Sequence, residues 1–175
     1  MGLRSPLVRL GAFGLLVGLA SCALFERGAP LATAPGVDLE RYLGTWYEVA
    51  SYPNRFQRGC TRTTATYGRN ADGSIHVRNE CDRDGARDGI DGRAWVAGDD
   101  PARLRVRFFW PFSGPYWILA IGPDYEWALV GSPGRDTLWV LSRTPTLDPA
   151  TFDAIAAVAR ERGFDPARLR RTPQS

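Results

Sequence analysis

A chain of 175 residues is the length of one domain. Hydrophobic residues at 44% and charged residues at 23% give an ordinary globular balance, which excludes a chain too polar to bury a core. The net charge of +3 comes entirely from arginine on the basic side and is spread along the chain, which argues against a nucleic-acid surface, where basic residues cluster on one face.

The first residues read as a targeting segment. Arg4 and Arg9 form a short basic region, and Leu10 to Leu19 is an uncharged apolar run, too short for a bilayer, which needs about 20 residues. It ends in Leu19-Ala20-Ser21-Cys22. One reading is a lipoprotein signal peptide over residues 1–21, with Cys22 acylated as the mature first residue, because small residues and a cysteine close the run. The other is an ordinary signal peptide cut near Ala20, with Cys22 a bystander. Several acyl chains, at about 0.8 kcal/mol per buried CH2, would anchor the chain stably to a membrane. Residues 22–36, with Pro30, Pro35 and several alanines, are expected to be the lipidated cysteine and a flexible tether. The globular domain is then 37–175.

Val37 to Leu43 predicts a short helical turn. A first strand follows from Trp46, breaks at Pro53 and resumes through Thr61 to Tyr67, with Tyr52 to Gly59 as a loop carrying Phe56. Asn70-Ala71-Asp72-Gly73 is a turn into a strand from Ser74 to Cys81. Asp82 to Gly92 reads as a polar loop before a strand at Arg93 to Ala97. In Leu104-Arg105-Val106-Arg107-Phe108 apolar and charged residues alternate, the pattern of a sheet wet on one side. Trp110 to Pro115 reads as an aromatic loop. Strands at Tyr116 to Ile121, Glu126 to Gly131 and Leu138 to Arg143 are joined by Gly/Pro/Asp turns. Asp148 as N-cap and Pro149 at the first helical position open a helix that Gly163 ends, with Phe152, Ile155, Ala156 and Ala159 at helical spacing. A short strand is expected around Leu169. This is an all-β chain of eight strands with one late helix.

Three motifs in order carry a resemblance: Tyr42-Leu43-Gly44-Thr45-Trp46-Tyr47-Glu48, Thr64-Ala65-Thr66-Tyr67 and Leu138-Trp139-Val140-Leu141-Ser142-Arg143-Thr144-Pro145. From about Val37 to the C-terminus the chain resembles the lipocalins, in particular the branch of bacterial outer-membrane lipocalins, plant temperature-induced lipocalins and apolipoprotein D. The family's middle motif, usually Thr-Asp-Tyr, is matched here to Arg135-Asp136-Thr137, which keeps the aspartate. The resemblance implies an eight-stranded antiparallel up-and-down barrel with the C-terminal α-helix packed outside. Its signature is Gly44, Trp46 and Arg143, the guanidinium closing over the indole, a contact worth about 0.5–2 kcal/mol. In Gram-negative members Ala23, rather than aspartate, after the cysteine implies the outer membrane, here with the domain facing the periplasm.

Cys60 and Cys81 oppose each other if Tyr67 faces Ser74 across the hairpin, and an oxidising compartment would then join them. On that register Ile75 and Val77 share the face of Cys81 while Ala65 and Tyr67 lie opposite Cys60, so a bulge near Gly59 or Gly68 is needed. The alternative is a free catalytic thiol inside the barrel. His76 is the sole histidine and reads as a strand surface residue. Asp82-Arg83-Asp84-Gly85-Ala86-Arg87-Asp88-Gly89 fails the calcium-loop spacing, because Ala86 and Arg87 occupy ligand and glycine positions. No metal and no cofactor are expected.

Strand alternation places Thr63, Ala65, Tyr67, Ile75, Val77, Ala94, Val106, Phe108, Trp117, Leu119, Ala128, Val130, Trp139 and Leu141 inward. With Phe56 at the mouth, the ligand-binding set is Phe56, Ala65, Tyr67, Ile75, Val77, Val106, Phe108, Trp117, Leu119, Val130 and Trp139. A barrel of about eight strands leaves room for one small ligand. The resemblance implies a fatty acid or lysophospholipid, its head group meeting arginines and tyrosines at the mouth. The expected function is therefore a membrane-anchored, non-enzymatic carrier or store of a small hydrophobic molecule in the bacterial envelope. An isomerase-like enzyme on the same barrel, or a structural lipoprotein with a filled barrel, are the alternatives. A homodimer stays open.

Overall fold

The structure, a computed structural model, describes residues 30–175. The expectations for residues 1–21, for Cys22 and for residues 23–29 lie outside the described residues. Eight antiparallel strands form one barrel: β1 (Gly44–Ser51), β2 (Thr61–Arg69), β3 (Ile75–Arg83), β4 (Ala86–Val96), β5 (Arg103–Phe109), β6 (Phe112–Ile121), β7 (Trp127–Gly131) and β8 (Leu138–Ser142). Each pairs with its successor, and β1 pairs with both β8 and β2, so the circuit closes and the sheet edges are removed. A one-turn helix α1 (Leu39–Tyr42) precedes the barrel, and α2 (Pro149–Glu161) and the two-residue β9 (Arg170–Arg171) follow it.

The apolar residues divide into two clusters. One fills the barrel: Trp46, Tyr67, Ile75, Val77, Ala94, Leu104, Ile118, Ala128, Val130 and Leu141, with α1 contributing Tyr42. The other lies between the barrel's outer face and α2, where Ile155 and Ala159 pack over Leu119, Leu129, Leu138 and Val140. Strands β7 and β8 therefore bury both faces, and odd and even positions go to different clusters. α2 begins as expected: the Asp148 carboxylate accepts from the Thr151 amide at 2.9 Å and Pro149 takes the first turn.

Three local expectations change. The segment expected as a polar loop, Asp82 to Gly92, is ladder: β3 and β4 pair continuously from Ile75–Ala94 to Arg83–Ala86. Asp84 and Gly85 both adopt left-handed φ values, 53° and 81°, and make the two-residue turn that favours such a hairpin. Cross-strand pairs, Arg78 with Asp91 at 2.6 Å and Arg87 with Asp82 at 3.1 Å, accommodate the charge on its outer surface. The aromatic loop shrinks to a hairpin tip at Trp110-Pro111, because β6 already starts at Phe112. Residues 31–36, expected within the tether, dock on the barrel: Leu31 and Ala34 are buried, and the Ala34 amide donates to the Ile118 carbonyl at 2.9 Å. Two apolar side chains, one backbone bond and the Thr33 hydroxyl, donated to the Asp100 carboxylate at 2.7 Å, hold a stretch that has no periodicity to announce it.

Candidate functional site

The up-and-down order puts α1 and the loops at residues 97–102 and 122–126 at one end of the barrel. That end is sealed. Trp46 is fully buried, and the Arg143 guanidinium carbon lies 3.8 Å from its ring centroid. The same guanidinium donates to the carbonyls of Thr45 and Leu43 at 2.8 Å, Arg41 at 2.9 Å, Tyr42 at 3.2 Å and Tyr125 at 3.3 Å. It thus satisfies the orphan carbonyls at the end of α1, which plugs the barrel. Gly44 has φ +93°, which disfavours any side chain, and a Cβ there would lie in tight contact with the guanidinium at 3.3 Å.

The middle motif is relocated. Asp124-Tyr125, preceded by Pro123, matches Thr-Asp-Tyr at two of three positions and lies at this sealed end, where the Tyr125 hydroxyl accepts from the Asp38 amide at 2.7 Å. Arg41 covers its ring at 4.2 Å. Arg135-Asp136-Thr137 stands instead in the β7–β8 loop at the opposite end, with Arg135 bonded to the Arg162 carbonyl. The sequence match favoured the turn beside the Arg143 strand; the closure is built from the turn one strand earlier.

Three tyrosines cluster beside the indole, with the Tyr42 and Trp46 ring centroids 4.9 Å apart. The Tyr116 hydroxyl bonds the hydroxyls of Tyr42 at 2.6 Å and Tyr67 at 2.7 Å. Burial is the main cause that pushes Tyr67 up to about 12, and it raises Tyr42 and Tyr116 well above their ordinary value. These phenols are neutral and form the floor. The expectation that tyrosines greet a head group at the mouth is corrected accordingly.

Toward the open end the lining becomes apolar and accessible. Ala65, Val106, Phe108 and Trp139 pack against the inner cluster yet are only partly buried. The ring of Phe108 lies over Gly92, whose missing side chain makes room for it: a Cβ there would come within 2.6 Å. Of the expected ligand-binding residues, Ala65, Tyr67, Ile75, Val77, Val106, Phe108, Val130 and Trp139 all face this interior. Three are placed elsewhere. Trp117 and Leu119 point outward into the cluster under α2, and Tyr116 and Ile118 point in. Six consecutive apolar residues from Tyr116 to Ile121 give no alternation to read, and an irregularity between Ile118 and Ala120 shifts the ladder further. Phe56 sits on a 3₁₀ turn (Arg55–Gln57) at the rim, 67% exposed and covered by Arg55 at 4.8 Å, rather than in the lining.

Cys60 and Cys81 are joined, with Cα atoms 5.4 Å apart. The expected register is corrected: Tyr67 faces Val77, not Ser74. The register shifts between Thr61 and Thr64, where Arg62 has φ 49°, so the bulge falls between the two positions anticipated for it. This puts Tyr67 and Val77 on one inner face and leaves neither Cys60 nor Cys81 as a free thiol. His76 contacts Asp91 at 2.9 Å on the surface, and Asp82 is bound by Arg62 and Arg87.

Sequence reasoning missed the polar mouth. Glu48, 5% exposed, accepts from Ser51 Oγ at 2.8 Å and Thr172 Oγ1 at 2.6 Å, and from the Gln57 side-chain amide. Gln57 in turn accepts from Trp139 Nε1 at 3.3 Å, which links this group to the lining. A carboxylate inside the apolar strand Trp46 to Ala50 was the available signal.

A family model described as a lipocalin-like domain matches residues 37–174. The chain is 45% identical over 150 residues to temperature-induced lipocalin-1 of Arabidopsis thaliana, covering 80% of this chain and 81% of that protein. It is 40% identical over 168 residues to the outer membrane lipoprotein Blc of Escherichia coli K12, covering 94% and 93%. Insecticyanin from the tobacco hornworm Manduca sexta superimposes with a TM-score of 0.68 at 19% identity, over 84% of this chain and 86% of that one. With its plugged barrel, its arginine-capped indole and a family match over nearly the whole described chain, this protein belongs to the lipocalin family.

Proposed function

We propose that the chain is an envelope-anchored lipocalin that carries or stores a single-chain amphiphile, such as a fatty acid or lysophospholipid. The observation that carries this reading is the asymmetry of the barrel. One end is sealed by Trp46, Arg143 and the tyrosine floor, while Val106, Phe108 and Trp139 toward the other face inward and remain partly accessible. An acyl chain transferred there gains about 0.8 kcal/mol per buried CH2. The likeness to an outer membrane lipoprotein supports an outer-membrane location through Cys22, facing the periplasm. It also supports a binding role over an enzymatic one, and the Cys60–Cys81 bond weighs against a thiol mechanism in the barrel.

Native mass spectrometry and tryptophan-quenching titration with long-chain amphiphiles test this. One-to-one saturable binding, weakened by Trp139→Ala combined with Val106→Asp, is expected. Absence of saturable binding to any single-chain lipid rejects the carrier reading and favours a filled structural barrel.

A further inference from the structure

The tyrosine floor does not balance its hydrogen bonds. Tyr42, Tyr67 and Tyr116 bring three hydroxyl hydrogens, and the cluster makes two bonds, both through the Tyr116 oxygen. No other group among the described residues bonds to these hydroxyls. One hydrogen is therefore left over whichever way the bonds run, since each phenol has one to give. Tyr42 and Tyr67 are 2% and 7% exposed, whereas Tyr116 is only partly buried. A donor left unpaired on either buried ring carries its full desolvation penalty. The arrangement lowest in free energy has Tyr42 and Tyr67 both donating to the Tyr116 oxygen, which keeps its own hydrogen for the cup.

On the mouth side of that hydroxyl the wall is cut away. Leu104 pairs with Tyr116, and the next inward pair toward the mouth is Val106 with Gly114. Val106 packs on the inner cluster, so Gly114 opposite it turns its missing side chain the same way. A Cβ built on Gly114 would meet nothing within 4 Å. On β2, Ala65 stands two residues mouthward of Tyr67 with an equally small side chain facing in. A hydrocarbon end resting in this gap would leave the Tyr116 hydrogen without an acceptor. An ionised end would lack a counter-charge, because Arg143, the cation of the plug, is committed to five backbone carbonyls.

We propose that the Tyr116 hydroxyl is a recognition point for the buried end of the ligand, and that the barrel selects single-chain lipids whose leading end carries an uncharged carbonyl over those that end in plain hydrocarbon. The head group stays toward the mouth, the chain lies along Trp139, Phe108 and Val106, and the carbonyl oxygen accepts the surplus Tyr116 hydrogen in the gap beside Gly114. The inference rests on the carrier reading above and adds the chemistry of the ligand's inner end.

The test takes three acids of one chain length, set by the saturated fatty acid that the full-length protein binds best: that acid, a keto acid with its ketone on the penultimate carbon, and a keto acid with its ketone at mid-chain. The two keto acids have one composition, so their difference reports position alone. The penultimate ketone is expected to bind at least about fivefold more tightly than the mid-chain ketone, the worth of one hydrogen bond to a buried donor. Tyr116→Phe should shrink that ratio to about twofold or less. In infrared spectra an isotope-labelled penultimate ketone should absorb at lower frequency in the unaltered protein than in hexane. Equal binding of the two keto acids, a ratio unmoved by Tyr116→Phe, or a hexane-like ketone band each overturns the proposal. Failure of saturated acids of every length to bind saturably overturns the carrier reading instead.

Discussion

Arg143 lies over Trp46 with its guanidinium carbon 3.8 Å from the ring centroid, and its nitrogens reach the carbonyls that end α1. One side chain thereby joins the last long strand, the first strand and the plug. Arg143→Ala should cost about 2–4 kcal/mol, the sum of a partly desolvated cation–π contact and charge-assisted bonds to backbone. Arg143→Lys should recover less than half of this, because a compact ammonium cannot reach carbonyls in several directions. Denaturant midpoints of the three proteins check it, and a midpoint for Arg143→Ala equal to that of the parent refutes the role.

The outward placement of Leu119 separates stability from binding. Leu119→Ala removes a fully buried side chain beneath α2 and should cost about 2–4 kcal/mol. Lipid affinity should stay within a factor of about two, since the cup is lined by Tyr116 and Ile118 from that strand. Parallel urea unfolding and quenching titrations decide it; a large loss of affinity in the folded variant would return Leu119 to the lining.

The tyrosine floor predicts an alkaline limit to stability. An unfolded tyrosine ionises near 10, whereas Tyr67 in the fold does so at about 12 and Tyr42 and Tyr116 are raised well above their usual value. Folding favours the protonated form, so this contribution is complete below pH about 10 and is lost as pH rises from there through the folded value. Stability should fall steeply between pH about 10 and 12, and difference absorbance should find the floor tyrosines titrating at higher pH than exposed ones. Tyr116→Phe, which removes the shared hydroxyl, should blunt the slope.

The Cys60–Cys81 bond closes a sequence separation of 21 residues. In the chain-entropy account a loop of that size contributes about 3 kcal/mol, so the double substitution to alanine should lower the unfolding free energy by that order. Calorimetry of oxidised protein and of the double variant reads it directly. A thermal midpoint unchanged by the substitution would show that the β2–β3 ladder orders this hairpin without the bond.

The residues themselves determined the barrel, its plug and its late helix. Turn chemistry at Asn70–Gly73, alternation in Leu104–Phe108, and the Asp148-Pro149 start each state a local rule that the fold obeys. Most of the cup's lining was legible for the same reason, because a period of two assigns a face wherever one side is wet or small. Tertiary structure alone decided the rest. From Tyr116 to Ile121 both faces are apolar, so the direction of Trp117 and Leu119 depends on α2, which covers the outer face from some thirty residues away in sequence. One of the partners of Glu48 is likewise a tail residue, Thr172, brought beside it only when the barrel closes. A periodic pattern reports which side of a strand is greasy; when both sides are, or when a polar group is satisfied from a distant part of the chain, only the assembled packing can say what it faces.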